Sequence, residues 1–375
     1  MKLILDAHLD IAWNAVSFDR DQLLSVQELR ANESSMTGKG RGNCTTSLPE
    51  LRKAGVGVAL GTVLSRALPK SLPDLDSNMG VIGDRTHGET ILRENLDFAN
   101  QTICSAAGQA QLAYYKLLEQ QGHMQMISDR ATLDEVWSAW EATPETAPLG
   151  NILSMEGTDP IVDPSHAQWW FDQGLRTACL AHYGPSAYSM GTGGDGPLTD
   201  RGRELLKEFE RLGVILDLVH TADTAVEQAL EIYSKPVFIS HGDCRAITPH
   251  DRQISDEQIR WVVERGGVIG VVLDAWMIAP GWERGSKTNV RPPLDRLVDH
   301  IDHISKIAGN TNHVGIGSDL DGGFGTEQCP EGFDTIADLQ KIGDIMSGRG
   351  YSDADIDGVF HGNFLRFFRE NLPSS

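Results

Sequence analysis

Six side chains able to bind metal ions or move protons stand where short apolar runs of this sequence end. They are His8 and Asp10 in ILDAHLD, Glu156 in NILSMEGTD, His220 in VILDLVH, His241 in PVFISHG and Asp319 in VGIGSDLDG. Three imidazoles and three carboxylates match the donor set of a two-metal hydrolase. His8 and Asp10 are two residues apart, so on a strand they point the same way and can share one cation. Alone, the pair also reads as a structural histidine before a helix-capping aspartate. Glu156 offers two oxygens, one for each of two cations, and Gly157 after it permits a tight turn; alone, it also reads as a surface glutamate. A single histidine closing a buried run is usually a hydrogen-bonded core residue. Two on successive strands, His220 and His241, point to ligation, because neutral imidazole is a common ligand of zinc-like metals. Asp319 can face the metals and take the proton of an attacking water. Asp321 is the alternative bearer of that role, or it caps a turn, since Asp-Gly is a turn signal. The segment RTACLAH holds no lysine that could serve as a carboxylated bridge, and the first strand holds no HxH. The bridge is therefore expected at Glu156.

Placing these residues together requires a scaffold. Eight short strand signals run through the chain: Leu3–Asp6, Gly57–Leu64, Asn151–Met155, Arg176–Ala181, Val214–Val219, Val237–Ser240, Val268–Leu273 and His313–Ser318. Most are continuous apolar runs, as expected of strands buried on both faces. Helical patterns separate most of them, which predicts a (β/α)8 TIM barrel with the candidate residues at its C-terminal mouth. Asp163-Pro164 opens one helix and Gly174 closes it. Ser255 to Gln258 forms a capping box ahead of the stripe Ile259, Val262 and Val263, which Gly266 ends. Leu205, Leu206, Phe209 and Leu212 form a further stripe, closed by Gly213.

The 375 residues are read as a single metallohydrolase domain over 1–375 with a helical insertion at 65–150 after the second strand, too long for an ordinary βα loop. The insertion carries a helical stretch at Leu92–Gln121 and is expected to be a cap at the barrel mouth, part of a subunit interface, or a solvated excursion.

The net charge of −21, from 32 basic and 53 acidic residues, argues against nucleic acid and anionic membrane as partners. No apolar run approaches the roughly 20 residues a membrane span needs. The five cysteines form no CxxC pair and are expected as free, buried thiols in a reducing compartment. The first strand signal begins at Leu3, which leaves no room for a signal peptide, so the expected setting is cytoplasmic.

In order along the chain, DAHLD at 6–10, SMEG at 154–157, LRTACLAH at 175–182, DLVH at 217–220, PVFISHGDCRAI at 236–247, Arg252-Gln253, GIGSDLDG at 315–322 and HGNFLRFF at 361–368 resemble the membrane (renal) dipeptidase family of zinc metallopeptidases. The region 65–150 carries little of the match. The resemblance implies two Zn2+ per chain, one held by His8, Asp10 and Glu156 and the other by Glu156, His220 and His241. It implies that His182 contacts the scissile carbonyl oxygen, that Arg252 receives the C-terminal carboxylate of a dipeptide, and that Asp319 is the catalytic acid and base. It also implies a homodimer, and a substrate that can carry a D-residue at its C-terminal position. Leu9 and Gln253 stand where the family commonly has asparagine, which bears on the substrate rather than on the chemistry. The family's animal members are secreted and lipid-anchored, and this sequence shows neither signal.

The expected function is thus that of a binuclear zinc dipeptidase. An N-acyl-amino-acid deacylase or a lactamase on the same metal site is the alternative. A non-catalytic metal- or peptide-binding protein would show the loss of a ligand or of Asp319, and none is lost.

Overall fold

The computed structural model describes residues 1–68, 96–283, 286 and 290–374. Eight parallel strands form its centre: β1 Ile4–Leu9, β2 Val56–Leu64, β3 Leu149–Glu156, β4 Leu175–Cys179, β5 Ile215–Asp217, β6 Val237–Phe238, β7 Ile269–Val271 and β8 Val314–Ile316. Each pairs with its sequence neighbour from β1 to β6, and β7 pairs with β8, which pairs back onto β1. A single parallel bridge, Ile239 to Ile269, joins the β6 side to β7 and closes the ring. This is the (β/α)8 barrel expected from the eight apolar runs, and each run supplies one strand.

Every residue of β1, β2 and β3 is buried, which explains why these strands read as continuous rather than alternating runs. The longest ladder, Val58 opposite Gly150 through Leu64 opposite Glu156, joins β2 to β3. Outside, the helix Asn363–Asn371 lays Phe364, Phe367 and Phe368 against Phe238 of β6. Inside, the barrel is tight beside β6. A Cβ on Gly270 or Gly317 would stand 2.0 or 1.7 Å from the Ser240 carbonyl oxygen, so both positions require glycine.

The ladders of β5 and β6 are shorter than the apolar runs that carry them, ending at Asp217 and Phe238. The cause is a change of hydrogen-bond partner. Asp217 Oδ1 accepts the backbone N–H of Val219 and of Ser240, both at 3.0 Å, so the chain stays buried while the regular ladder stops. His220 and His241 consequently stand in turns just beyond their strands.

The helix signals hold. Asp163 caps a 3-10 turn, Pro164–His166, that leads into Ala167–Asp172. The Ser255 box is formed on Asp256–Glu264, and Leu205, Leu206 and Phe209 are buried on Asp200–Leu212. Between β2 and β3, residues 69–95 lie outside the described residues, including the first part of the predicted helix Leu92–Gln121. The observed helix is Gln101–Gln120, started by the Asn100 side chain accepting from Ile103 N. Its later start has a local cause: Asp97–Phe98 is extended and pairs in parallel with Arg66–Ala67. The helix is clamped to β2, with Tyr115 Oη donating to Thr62 O at 2.9 Å and the Gln111 amide meeting both Leu64 N and O. No helix among the described residues is long and apolar enough to cross a membrane. All five cysteines are free and buried.

Candidate metal centre

The C-terminal mouth of the barrel gathers all six residues that open the sequence argument. His8 stands on β1, and Asp10 has just left it, at the N-cap position of the helix Ile11–Phe18. Glu156 is the last residue of β3. His220 and Asp319 adopt left-handed backbone, with φ of 59° and 56°, a conformation that costs a non-glycine residue energy and recurs at functional sites. At these two turns it directs an imidazole and a carboxylate back over the barrel.

Glu156 is the hub. Its Oε2 lies 3.6 Å from His8 Nε2, while its Oε1 lies 3.1 Å from His220 Nε2 and 3.5 Å from His241 Nε2. The two oxygens thus face different histidines, as a bridging carboxylate requires. His8 Nε2 is also 3.9 Å from Asp10 Oδ1 and 3.6 Å from Asp319 Oδ1. Three sets of potential ligand atoms converge within 4.8 Å: His8, Asp10 and Glu156; Glu156, His220 and His241; and His8, His241 and Asp319. The first two are the predicted ligand sets. The third puts Asp319 within reach of a cation as well.

These residues fit a metal centre on physical grounds. Ligand atoms about 2.0–2.1 Å from one tetrahedral zinc ion lie about 3.4 Å from each other, close to the separations found here. The Nε2 atoms of His8 and His241 are buried and have no hydrogen-bond partner among the described residues, a costly state unless a cation completes it. Charge tells the same story. Burial pushes the Asp10 carboxyl up to about 7, with the Glu156 charge adding to it. Burial likewise raises Asp319 well above the carboxylate range, against the pull of His8. Burial opposes the charge on Glu156 too, but His182 and His8 outweigh it and hold its carboxyl well below the usual range. Burial lowers His8, yet Glu156, Asp10 and Asp319 raise it to about 10. His220 falls to about 3 through burial and the nearby Arg252 charge. Crowded buried carboxylates of this kind call for positive charge among them.

A second layer holds the candidate ligands in place, an arrangement that matters at metal sites. The Thr62 hydroxyl donates to Asp10. Thr192 Oγ1 lies 2.9 Å from His220 Nδ1, and Ser240 Oγ lies 2.9 Å from His241 Nδ1. Asp321, the alternative to Asp319, faces elsewhere. Its carboxylate accepts the N–H and hydroxyl groups of Thr45 and Thr46, which gives it a structural role.

His182 and Arg252 line the same pocket as Asp10, Glu156, His220 and Asp319. His182 Nε2 is 3.7 Å from Glu156 Oε1. Arg252 is buried and donates from Nη2 to His241 O at 3.2 Å. Trp13, Leu64, Tyr183 and Met277 supply apolar wall, and Asp274 a further carboxylate held by Gln328 and Trp276 at 2.7 Å. Sequence reasoning missed Asp274, although it follows the seventh apolar run as the predicted residues follow theirs. Thr62 and Thr192 carried no signal, since nothing local marks a threonine as a partner of a distant ligand.

Comparison with known proteins points to a family and to a fold. The sequence model of the family described as "Membrane dipeptidase (Peptidase family M19)" matches residues 1–373. An uncharacterized dipeptidase of Schizosaccharomyces pombe is 29% identical over 227 residues, 59% of this chain and 53% of that protein. Dipeptidase 3 of Homo sapiens is 28% identical over 173 residues, 46% of this chain and 33% of that protein. The aligned region thus spans about half of the first relative's length and a third of the second's. Among solved structures, a metallo peptidase from Rhodobacter sphaeroides, liganded with a phosphinate mimic of the dipeptide L-Ala-D-Ala, superposes with a TM-score of 0.75 at 20% identity, covering 99% of this chain and 100% of that one. The probable dipeptidase PvdM from Pseudomonas aeruginosa gives 0.74 at 16% identity, covering 100% and 96%. At these identities the structural likeness is one of fold.

Proposed function

The chain belongs to the membrane dipeptidase family, peptidase family M19, and from that premise we propose that it hydrolyses the peptide bond of dipeptides at a two-zinc centre. The observation that carries the proposal is the position of Glu156, one oxygen toward His8 and the other toward His220 and His241, with Arg252 on the wall of the same pocket. We assign His8, Asp10 and Glu156 to one ion and Glu156, His220 and His241 to the other. Bound there, the ions would acidify a water molecule and polarise a carbonyl group.

The chain's own residues supply the rest. The Arg252 guanidinium suits a free C-terminal carboxylate, which it can meet with paired N–H donors. That contact fixes the substrate's far end and leaves the scissile bond over the centre. His182 offers an N–H to the carbonyl oxygen as negative charge grows on it. Asp319 accepts a proton from the attacking water and passes it to the departing amine. Trp13, Leu64, Tyr183 and Met277 restrict access of bulk water.

We extend the proposal to dipeptides with a D-residue at the C-terminal position; the Rhodobacter sphaeroides protein holds a mimic of such a compound. A homodimer, a cytoplasmic setting and a single domain with an insertion at 65–150 complete the proposal.

The test is a hydrolysis panel with zinc-reconstituted protein: L,L- and L,D-dipeptides beside N-acyl amino acids and β-lactams at equal concentration. Chelator-sensitive turnover of dipeptides is expected to lead. Faster turnover of an N-acyl amino acid or a β-lactam would transfer the site to the deacylase or lactamase reading, and no turnover of any compound would sink the proposal.

A further inference from the structure

Arg66 and Asp97 lie on the short parallel pair Arg66–Ala67 and Asp97–Phe98, and neither has a role in the reading above. Arg66 is buried. Its Nε donates to Asp97 Oδ1 at 2.7 Å and its Nη2 to Asp97 Oδ2 at 2.8 Å. This bidentate clamp leaves Nη1, which lies 3.3 Å from His182 Nδ1 and 3.3 Å from Tyr183 O.

The chemistry of the pair fixes a proton. A guanidinium has five N–H donors, no acceptor, and keeps its charge in proteins. Its contact with His182 is a hydrogen bond only where Nδ1 presents a lone pair. A neutral imidazole then carries its proton on Nε2, the atom that faces Glu156 Oε1 and the pocket. The neighbouring histidines are set the other way. His220 and His241 place Nδ1 against the hydroxyls of Thr192 and Ser240. A hydroxyl can accept, so these rings can hold the proton on Nδ1 and turn the Nε2 lone pair toward a cation. Thr192 Oγ1 also lies 3.4 Å from His220 O, where its own proton can go.

We propose that Arg66, clamped by Asp97, is a positioning residue that fixes His182 as the Nε2–H tautomer, so that this histidine acts as a hydrogen-bond donor while its neighbours act as ligands. The catalytic meaning rests on the dipeptidase reading, since the donor is assigned to the carbonyl oxygen. The tautomer does not rest on it.

The experiment is long-range 1H–15N NMR of zinc-loaded protein labelled at histidine, with the His182 signals identified by their loss in His182→Gln. Native protein is expected to show a protonated Nε2 and a bare Nδ1 at His182. Two variants follow. Arg66→Met removes the donor, and Arg66→Gln puts there an amide that can accept as well as donate, so the test survives if the first fails to fold. In each folded variant the strict Nε2–H pattern is expected to be lost. The kcat on a dipeptide is expected to fall by about 10- to 100-fold, the usual scale for such supporting partners, with KM and zinc content little changed. A protonated Nδ1 in native protein overturns the proposal, and so does a native pattern and kcat in both variants. If the tautomer behaves as stated but no dipeptide is hydrolysed, the positioning of His182 stands and the dipeptidase reading falls.

Discussion

Ser318 donates both its backbone N–H, at 2.9 Å, and its hydroxyl, at 2.6 Å, to the carboxylate of Asp6. Asp6 also accepts the backbone N–H of His8 at 3.2 Å. One buried side chain therefore ties the first barrel strand, which carries His8, to the turn after the last strand, which carries Asp319. Three donors converge on it, so its removal leaves buried polar groups without a partner. Asp6→Ala is expected to lower unfolding free energy by about 2–4 kcal/mol and to reduce zinc occupancy, although Asp6 is absent from the predicted ligand sets. Urea unfolding of the metal-free protein beside metal analysis checks this. Unchanged stability would show that the junction of first and last strands holds without Asp6.

Asp319 stands within ligand reach of His8 and His241, yet its proposed work is proton transfer. The two roles separate on substitution. Asp319→Asn keeps the shape and loses the basic oxygen. With a proton-transfer role, zinc content is retained and kcat falls by about 10²- to 10⁴-fold. Zinc loss in proportion to activity would instead make Asp319 a ligand. Metal analysis and kinetics on the same preparation decide between them.

Arg252→Ala removes a group assigned to the substrate's carboxylate, remote from the bond that breaks. Loss of uniform binding raises KM and leaves kcat. A rise of about 30-fold or more is expected, equivalent to roughly 2 kcal/mol, the lower end for truncating one partner of a buried charge pair. A dipeptide amide, lacking that carboxylate, is expected to be hydrolysed poorly by the native protein and to gain nothing from the arginine. Equal KM values for native and variant proteins would disconnect Arg252 from the carboxylate.

What could be read from the sequence follows a physical division. The barrel was legible because a parallel strand buried on both faces must be apolar throughout, and eight such runs leave few alternatives. The candidate ligands were legible because each charged or imidazole group interrupts such a run at the mouth. Partners from far along the chain were not legible. Thr62, Thr192 and Arg66 act through residues 52, 28 and 116 positions away, and no local pattern marks them. The short ladders of β5 and β6 were hidden for a related reason: Asp217 takes over backbone hydrogen bonds without any change in apolar character. The helix at Gln101 was expected to begin earlier because composition does not register the extended pair that precedes it.

Asp159 gives the fold a pH dependence that can be measured apart from the metal centre. It is buried, accepts the backbone N–H of Ala67 at 2.9 Å and of Ala187 at 2.8 Å, and so secures the strand that holds Arg66. Burial raises its pKa from 3.8 to about 6, against the pull of those two N–H groups and of Arg66 and Arg201. In the unfolded chain it titrates near 3.8. Between these values the native state holds a proton that the unfolded state has lost, so stability falls as pH rises through the window and levels off above about 6. The shift corresponds to roughly 3 kcal/mol across the whole window. Asp159→Asn cannot titrate. It carries a constant penalty, because an amide has one oxygen for two N–H donors, but it loses this slope. Other buried carboxylates, Asp217 and Asp243 among them, are also raised to about 6, so the informative quantity is the difference between native and variant proteins. Measured by urea unfolding from pH 4 to pH 7, the native protein's stability relative to Asp159→Asn is expected to fall by roughly 2 kcal/mol, the rest of the window lying below pH 4. A difference that stays constant over that range would mean that Asp159 titrates alike in the folded and unfolded chains.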